Sequence, residues 1–117
     1  MNGKATAEQK RFQNWCRSLG CITGNDHGSI AFHHIKGARM NLKGVKNAGE
    51  WYVLPVCYYW HQDLSNDSAI HTNRKKFAQF WEATEKEFWL CLMEDYKNVF
   101  GKYPMSENEY QIIKERA

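Results

Sequence analysis

The chain has 117 residues, which is a typical length for one domain, and we expect residues 1–117 to form a single domain. Hydrophobic residues make up 43% and aromatic residues 15%, which is enough apolar area for a packed core and excludes a disordered tail. No apolar run approaches the length of a membrane span, and the polar residues 1–10 do not form a signal peptide. We therefore expect a cytoplasmic protein with a net charge of +3 and no membrane partner.

A first helix is predicted after Thr6, which with Gln9 has the pattern of a capping box. Apolar residues follow at positions i, i+3, i+4 and i+7, namely Phe12, Trp15, Cys16 and Leu19. Gly20 is suited to end the helix.

Two strand-like runs follow, at 29–35 and 51–56, and Pro55 places the second at a sheet edge or ends it. Residues 36–49 between them are predicted to form a long exposed loop. No acidic residue occurs from 27 to 49, whereas Lys36, Arg39, Lys43 and Lys46 all lie there. A second basic cluster is Arg74, Lys75 and Lys76. This pattern favours an anionic partner, first of all nucleic acid, although a solvated loop of a mildly basic protein is the alternative.

The C-terminal half is predicted to be helical. A short helix is expected within 57–64, and residues 73–100 form either one helix or two, of which we favour two because Thr84 and Glu87 could form a capping box. One apolar helix face is expected to contain Phe77, Phe80, Trp81, Phe88, Leu92, Tyr96 and Val99. Ser106 caps a last helix.

The five histidines all lie between positions 27 and 71. His33 and His34 end the first strand-like run, His61 follows the second, and His71 opens the basic helix. Imidazole is both a good metal ligand and a general base near pH 7, so a hairpin followed by a helix could gather a metal site. Strand pleating points His33 and His34 to opposite faces, and both can serve one site only if the strand ends or bulges there.

The four cysteines form no CxxC pair. Cys16 and Cys91 lie among apolar helical residues and are interpreted as small core side chains. Cys21 and Cys57 lie beside turn and histidine-rich segments.

In these segments the sequence resembles the HNH (ββα-metal) endonuclease superfamily, and within it the phage recombination-enhancement, or RecA-dependent, nucleases. The matching pieces are 15–21, 32–35, 53–57 leading to His61, and 71–77, so that the resemblance covers roughly positions 11–82. It implies an α+β fold in which N- and C-terminal helices embrace a small ββα-metal centre.

The resemblance also implies roles for the histidines. His33 and His61 would be metal ligands, His71 a third ligand or a phosphate contact, and His34 the general base that activates water. One divalent cation (Mg, Mn or Zn) would assist phosphodiester hydrolysis. DNA would bind through Lys36, Arg39, Lys43, Lys46, Arg74 and Lys75, and a RecA-type recombinase filament could be a partner in a phage-infected host cytoplasm.

The sequence departs from the family pattern in two places. The cysteine pairs that hold a structural zinc in family members would here be Cys21 with Gly24 and Cys57 with Trp60, so we expect no structural zinc unless His27 contributes a ligand. The middle HNH residue, which orients the base, has three candidates, namely Asn47, Glu50 and Tyr52. Two alternatives to an enzyme remain: a catalytically inactive DNA-binding or recombinase-accessory module, and a protein-interaction or inhibitor domain on the same fold.

Overall fold

The computed structural model describes residues 4–26 and 28–117, and within them the fold is α+β, as predicted. The elements in these ranges are α1 (Ala7–Ser18), β1 (Ile30–His34), a short 3-10 helix (Ala48–Glu50), β2 (Val53–Cys57), α2 (Tyr58–His61), α3 (Arg74–Trp81), α4 (Glu85–Phe100) and α5 (Glu107–Arg116). In the part of the chain so described, none of the helices combines the length and apolar character that a membrane span requires.

The centre of the fold is a two-stranded antiparallel sheet followed at once by a short helix. β1 pairs with β2 in a register that sets His33 opposite Leu54 and His34 opposite Val53. Every residue of β2 is buried, and α2 begins at the residue that follows it. Strand β2 and the end of α2, at Trp60 and His61, therefore lie in the interior, where they can position side chains accurately.

The other helices cover this unit. The capping boxes predicted at Thr6, Thr84 and Ser106 are all present, at the starts of α1, α4 and α5. α1 contacts both strands and α4 contacts β2. Trp89 of α4 is fully buried, and its indole N–H donates to the Trp51 carbonyl at 2.9 Å. The N- and C-terminal helices thus enclose the hairpin, as expected for this fold.

The segment between the strands is more tightly folded than the long exposed loop that we predicted. Val45, Ala48 and Gly49 are buried in it. The Gln9 side-chain amide holds the backbone by donating to the carbonyls of Lys46 and Asn47, both at 3.0 Å. The glycine content suggested a loose loop, but Gln9 of α1 fixes its backbone and three of its residues are buried.

Helix α3 ends before α4, so the break that we favoured is confirmed, with Glu82 in the left-handed conformation at the end of α3. The single apolar face predicted across both helices is wrong in part. Phe77 and Leu92 are fully buried, but Phe80 is 59% and Val99 64% exposed. The core assignment of Cys91 is also wrong, because its side chain lies on the exposed side of α4. Phe80 and Val99 each lie near the end of their own helix, so the apolar face is covered by the core along only part of each helix.

Candidate metal centre

Three histidines from three segments meet near the end of β1. His33 lies in β1, His61 is the last residue of α2, and His71 lies in the turn before α3 rather than in the helix. Two backbone hydrogen bonds of 2.9 Å fix this turn to α2, from the amide of Ile70 to the carbonyl of Trp60 and from the amide of His71 to the carbonyl of His61. The hairpin and the following helix therefore bring together the three predicted ligands.

The three imidazoles form a compact cluster. Their ring centroids lie 5.3 Å apart for His33–His61 and His33–His71, and 4.5 Å apart for His61–His71. One candidate donor atom from each ring lies within 4.8 Å of the others. His33 and His61 are 2% and 8% exposed, whereas His71 is exposed. The cluster is thus buried on two sides and open to solvent on the third.

The surroundings keep two of these rings neutral. Burial lowers the pKa of His61 to about 4, and the neighbouring His71 and His33 add to the effect. The pKa of His71 is also lowered, by burial and then by His33 and Arg74, while Glu85 opposes the shift. Neutral imidazoles have a free lone pair, which a metal ligand needs.

The donor set fits a metal ion. The Nε2 atoms of His61 and His71 lie 2.9 Å apart, and the buried Nδ1 of His61 has no hydrogen-bond partner. A buried polar atom without a partner is rare in folded proteins and is often explained by an ion or water. Three imidazoles are a donor set that zinc and other transition ions accept readily, whereas Mg²⁺ prefers oxygen.

A carboxylate that sequence reasoning missed completes the cluster. Glu85, the first residue of α4, accepts a hydrogen bond from Nε2 of His33 at 2.6 Å, and its side chain is only 12% exposed. Its other oxygen lies 3.5 Å from Nε of Arg74. In the sequence, Glu85 is an ordinary residue beside the capping box at Thr84, and no local pattern connects it to a histidine 52 positions earlier.

Arg74, a predicted DNA-binding residue, has protein partners on both sides. Besides Glu85, its guanidinium donates to the Ile35 carbonyl at 2.9 Å, although its side chain remains 57% exposed. It thereby connects the end of β1 to the start of α4. Its role in DNA binding stays a prediction.

His34 lies outside the histidine cluster. β1 ends at His34 with regular pairing and no bulge, so its side chain points to the face opposite His33. Its Nε2 donates to Oε1 of Glu50 at 3.1 Å, and the Gln13 amide donates to the other Glu50 oxygen, also at 3.1 Å. Of the three candidates for the middle HNH residue, Glu50 is the one that hydrogen-bonds to His34.

The predicted phosphate contacts of the hairpin loop all have exposed side chains. They are Lys36, Arg39, Lys43 and Lys46, and Lys75 is exposed on α3 as well. The first of them lies two residues beyond His34. Exposed basic side chains on this loop are suited to contact DNA phosphates. Their role in DNA binding stays a prediction.

The two cysteines of the incomplete zinc pattern are buried and lie close to each other. Cys21 Sγ lies 3.0 Å from Thr23 Oγ1, and Cys57 Sγ donates to the Asn25 carbonyl at 3.4 Å. Within residues 4–26 and 28–117, no group of three potential ligands includes either thiol. His27 lies outside the described residues, so the prediction that the fold needs no structural zinc remains open.

The comparisons with known proteins point to one family. The family model described as recombination enhancement, RecA-dependent nuclease matches residues 5–94, which include all of the histidine cluster and Glu85. Neither the curated proteins nor the solved structures gave a significant match.

Proposed function

Because the chain belongs to the family of recombination-enhancement, RecA-dependent nucleases, we propose that it is an HNH-type, metal-dependent DNA endonuclease. The observation that carries the proposal is the convergence of His33, His61 and His71 on a ββα unit. Each comes from a different segment, and two are buried with little polar contact besides one another and Glu85. Clustered imidazoles are good metal ligands. Without an ion, the buried Nδ1 of His61 lacks a hydrogen-bond partner, and this destabilises the fold.

The three histidines would hold one divalent cation. Bound there, the ion would supply the positive charge that polarises a scissile phosphate and stabilises a leaving 3′-oxygen. The exposed edge of His71 leaves an approach for the phosphate, while buried His33 and His61 hold the ligand geometry. Of the three ions, the donor set favours Zn²⁺, because Mg²⁺ and Mn²⁺ prefer oxygen ligands.

His34 would be the general base, with Glu50 as its positioning residue. Because its ring lies on the face opposite His33, both residues can serve one site only through the end of β1, which is at His34. A carboxylate that accepts from Nε2 leaves the lone pair of the ring on Nδ1, the atom that would take a proton from water. Gln13 fixes Glu50 in turn through hydrogen bonds to its side chain at 3.1 Å and to its carbonyl at 2.8 Å. This chain of contacts would set the tautomer and the direction of the base.

Glu85 would have the corresponding role for His33. Metal-bound histidines commonly donate their second N–H to a carboxylate, which fixes the ring and raises its basicity. The 2.6 Å contact between Nε2 of His33 and Glu85 has this form. Arg74 would hold the carboxylate in place from its other side.

The proposal is tested by cleavage of supercoiled plasmid and of single-stranded DNA. Chelator-treated protein should cut only after Zn²⁺, Mn²⁺ or Mg²⁺ is restored, and the measurement is made with and without a RecA filament on the DNA. Cleavage that persists in excess chelator would contradict a metal mechanism. No cleavage under any of these conditions would instead support the catalytically inactive DNA-binding or recombinase-accessory module.

A further inference from the structure

A cavity with no part in holding the cation is lined by residues of α2, the helix that also carries His61. It has a volume of about 470 Å³, and its lining residues are Asn25, Tyr59, Trp60, Asn66, Ser68 and Phe80. This volume falls within the range of about 300–1,000 Å³ found for small-molecule sites. The lining combines aromatic rings with amide and hydroxyl groups.

The aromatic wall contains a large ring that the fold leaves uncovered. Trp60 is buried and packs with its centroid 4.9 Å from Phe80 and 4.9 Å from Trp81. Phe80, in contrast, is 59% exposed. Phe77, on the same helix, packs in the core, whereas Phe80 lies outside it. An exposed ring supported from behind by two indoles is a rigid surface on which a flat group can stack.

The other lining residues of the cavity are polar, and hydrogen bonds hold one of them, Asn66, in place. The Asn66 amide donates to the Tyr59 carbonyl at 2.9 Å, and its oxygen accepts from the Ser68 backbone N–H at 3.0 Å. The Ser68 hydroxyl and the Asn25 amide supply donors and acceptors of the kind that pair with base edges. The cavity therefore suits a flat, partly polar ring better than a purely aliphatic group.

Charge and location narrow the choice of ligand. Lys76 lies four residues before Phe80 on α3, which places both exposed side chains on one side of the helix. Trp60 directly precedes His61 in α2, and the 2.9 Å hydrogen bonds from Ile70 to Trp60 and from His71 to His61 hold both to the same turn. The ring of Phe80 could stack on a base while the ammonium group of Lys76 contacts a phosphate. Both lie close in the chain to the predicted metal ligands, so a nucleotide of the bound strand fits this surface.

We propose that this cavity binds one unpaired nucleobase of the DNA, stacked on Phe80, and that the nuclease therefore prefers single-stranded or locally unpaired DNA. The inference rests on the proposed nuclease function and adds the class of substrate to it. A base in a duplex is stacked on its neighbours and cannot enter the cavity, whereas an unpaired base is free to do so. Lys76 would contact the adjoining phosphate.

Equilibrium binding in excess chelator tests this without any cleavage. The probes are a fluorescent oligothymidine and a blunt duplex of the same length. Phe80→Leu keeps an apolar side chain but removes the ring, and should weaken single-strand binding about 5- to 150-fold, the range for loss of one base–aromatic stack. Duplex binding should change less than about twofold, because the phosphate contacts are untouched. Phe80→Trp should restore single-strand binding.

Phe100→Leu is the matched control, since Phe100 is also an exposed phenylalanine, at 51%, but lies at the end of α4. It should leave both affinities unchanged. Equal single-strand affinity of wild type and Phe80→Leu would overturn the proposal and leave the cavity for a protein side chain. An equal loss for single strand and duplex would overturn it too. Because no metal is present, these outcomes are separate from those of the cleavage test.

Discussion

His33 and His34 are neighbours in the chain, and each bonds a glutamate through Nε2, yet they differ in burial and in the segments around them. His33 is almost fully buried among two further imidazoles and Glu85, which come from α2, the following turn and α4. His34 has a side chain 28% exposed, and its partner Glu50 comes from the short 3-10 helix before β2. Strand pleating separates them, and the two carboxylates then give each ring its own orientation. The two histidines therefore differ in setting, one in a buried imidazole cluster and the other in a partly exposed pair with a carboxylate.

The largest effect should come from the exposed member of the pair. His34→Ala should slow plasmid nicking about 10²- to 10⁴-fold, the usual loss on removal of a general base. Because His34 lies outside the ligand cluster, the affinity for the cation should not change. Nicking rates of wild type and variant at saturating metal check this. Equal rates would remove His34 from the mechanism and with it the functional distinction between the two faces.

Replacing the basic residues of the hairpin loop after His34 should have a smaller effect, which is a loss of DNA affinity. Four phosphate contacts by Lys36, Arg39, Lys43 and Lys46 give a log–log salt slope near −3.6 on duplex DNA, from about −0.9 per contact. Replacing all four by glutamine should flatten this slope and weaken binding to unrelated sequences alike, since phosphate contacts carry no sequence information. Affinities measured at several salt concentrations give the slope. A slope unchanged in the variant would place the DNA elsewhere, such as on Arg74 to Lys76.

Replacing Glu85, the carboxylate beside His33, should have a smaller effect still, on the affinity for the cation. Glu85→Gln should weaken cation binding about 10- to 100-fold, the typical cost of losing the carboxylate behind a metal-bound histidine. Glu107→Gln is the matched control, because Glu107 is the first residue of α5 as Glu85 is of α4, and it removes the same charge from a helix start. Titration against a chromophoric chelator measures both. Equal affinities for the two variants would show that Glu85 does not position His33.

Local patterns in the sequence were sufficient for most of the fold. The capping residues Thr6, Thr84 and Ser106 mark three helix starts directly, and the two strand-like runs correspond to β1 and β2. Each of these signals lies within a few residues of the chain. The order of the three clustered histidines and the family resemblance predict them as ligands.

What the sequence could not supply depends on contacts between distant segments. Glu85 reaches His33 only because α4 packs on the hairpin, and Glu50 could not be chosen over Asn47 or Tyr52 until its distance to His34 was known. Phe77 and Phe80 lie on the same helix with the same apolar character, and only the packing of that helix leaves Phe80 exposed. Periodicity reports on one helix at a time and does not contain this information.

The central claim is that one cation binds at His33, His61 and His71 and that the fold needs no other. Elemental analysis of wild type, His34→Ala and His33→Ala, combined with thermal melts before and after chelation, tests it most directly. We expect one equivalent of metal in wild type and in His34→Ala, none in His33→Ala, and a folded chain after chelation. One equivalent of zinc that survives in His33→Ala, and whose removal unfolds the protein, would contradict the claim and assign the metal to Cys21 and Cys57.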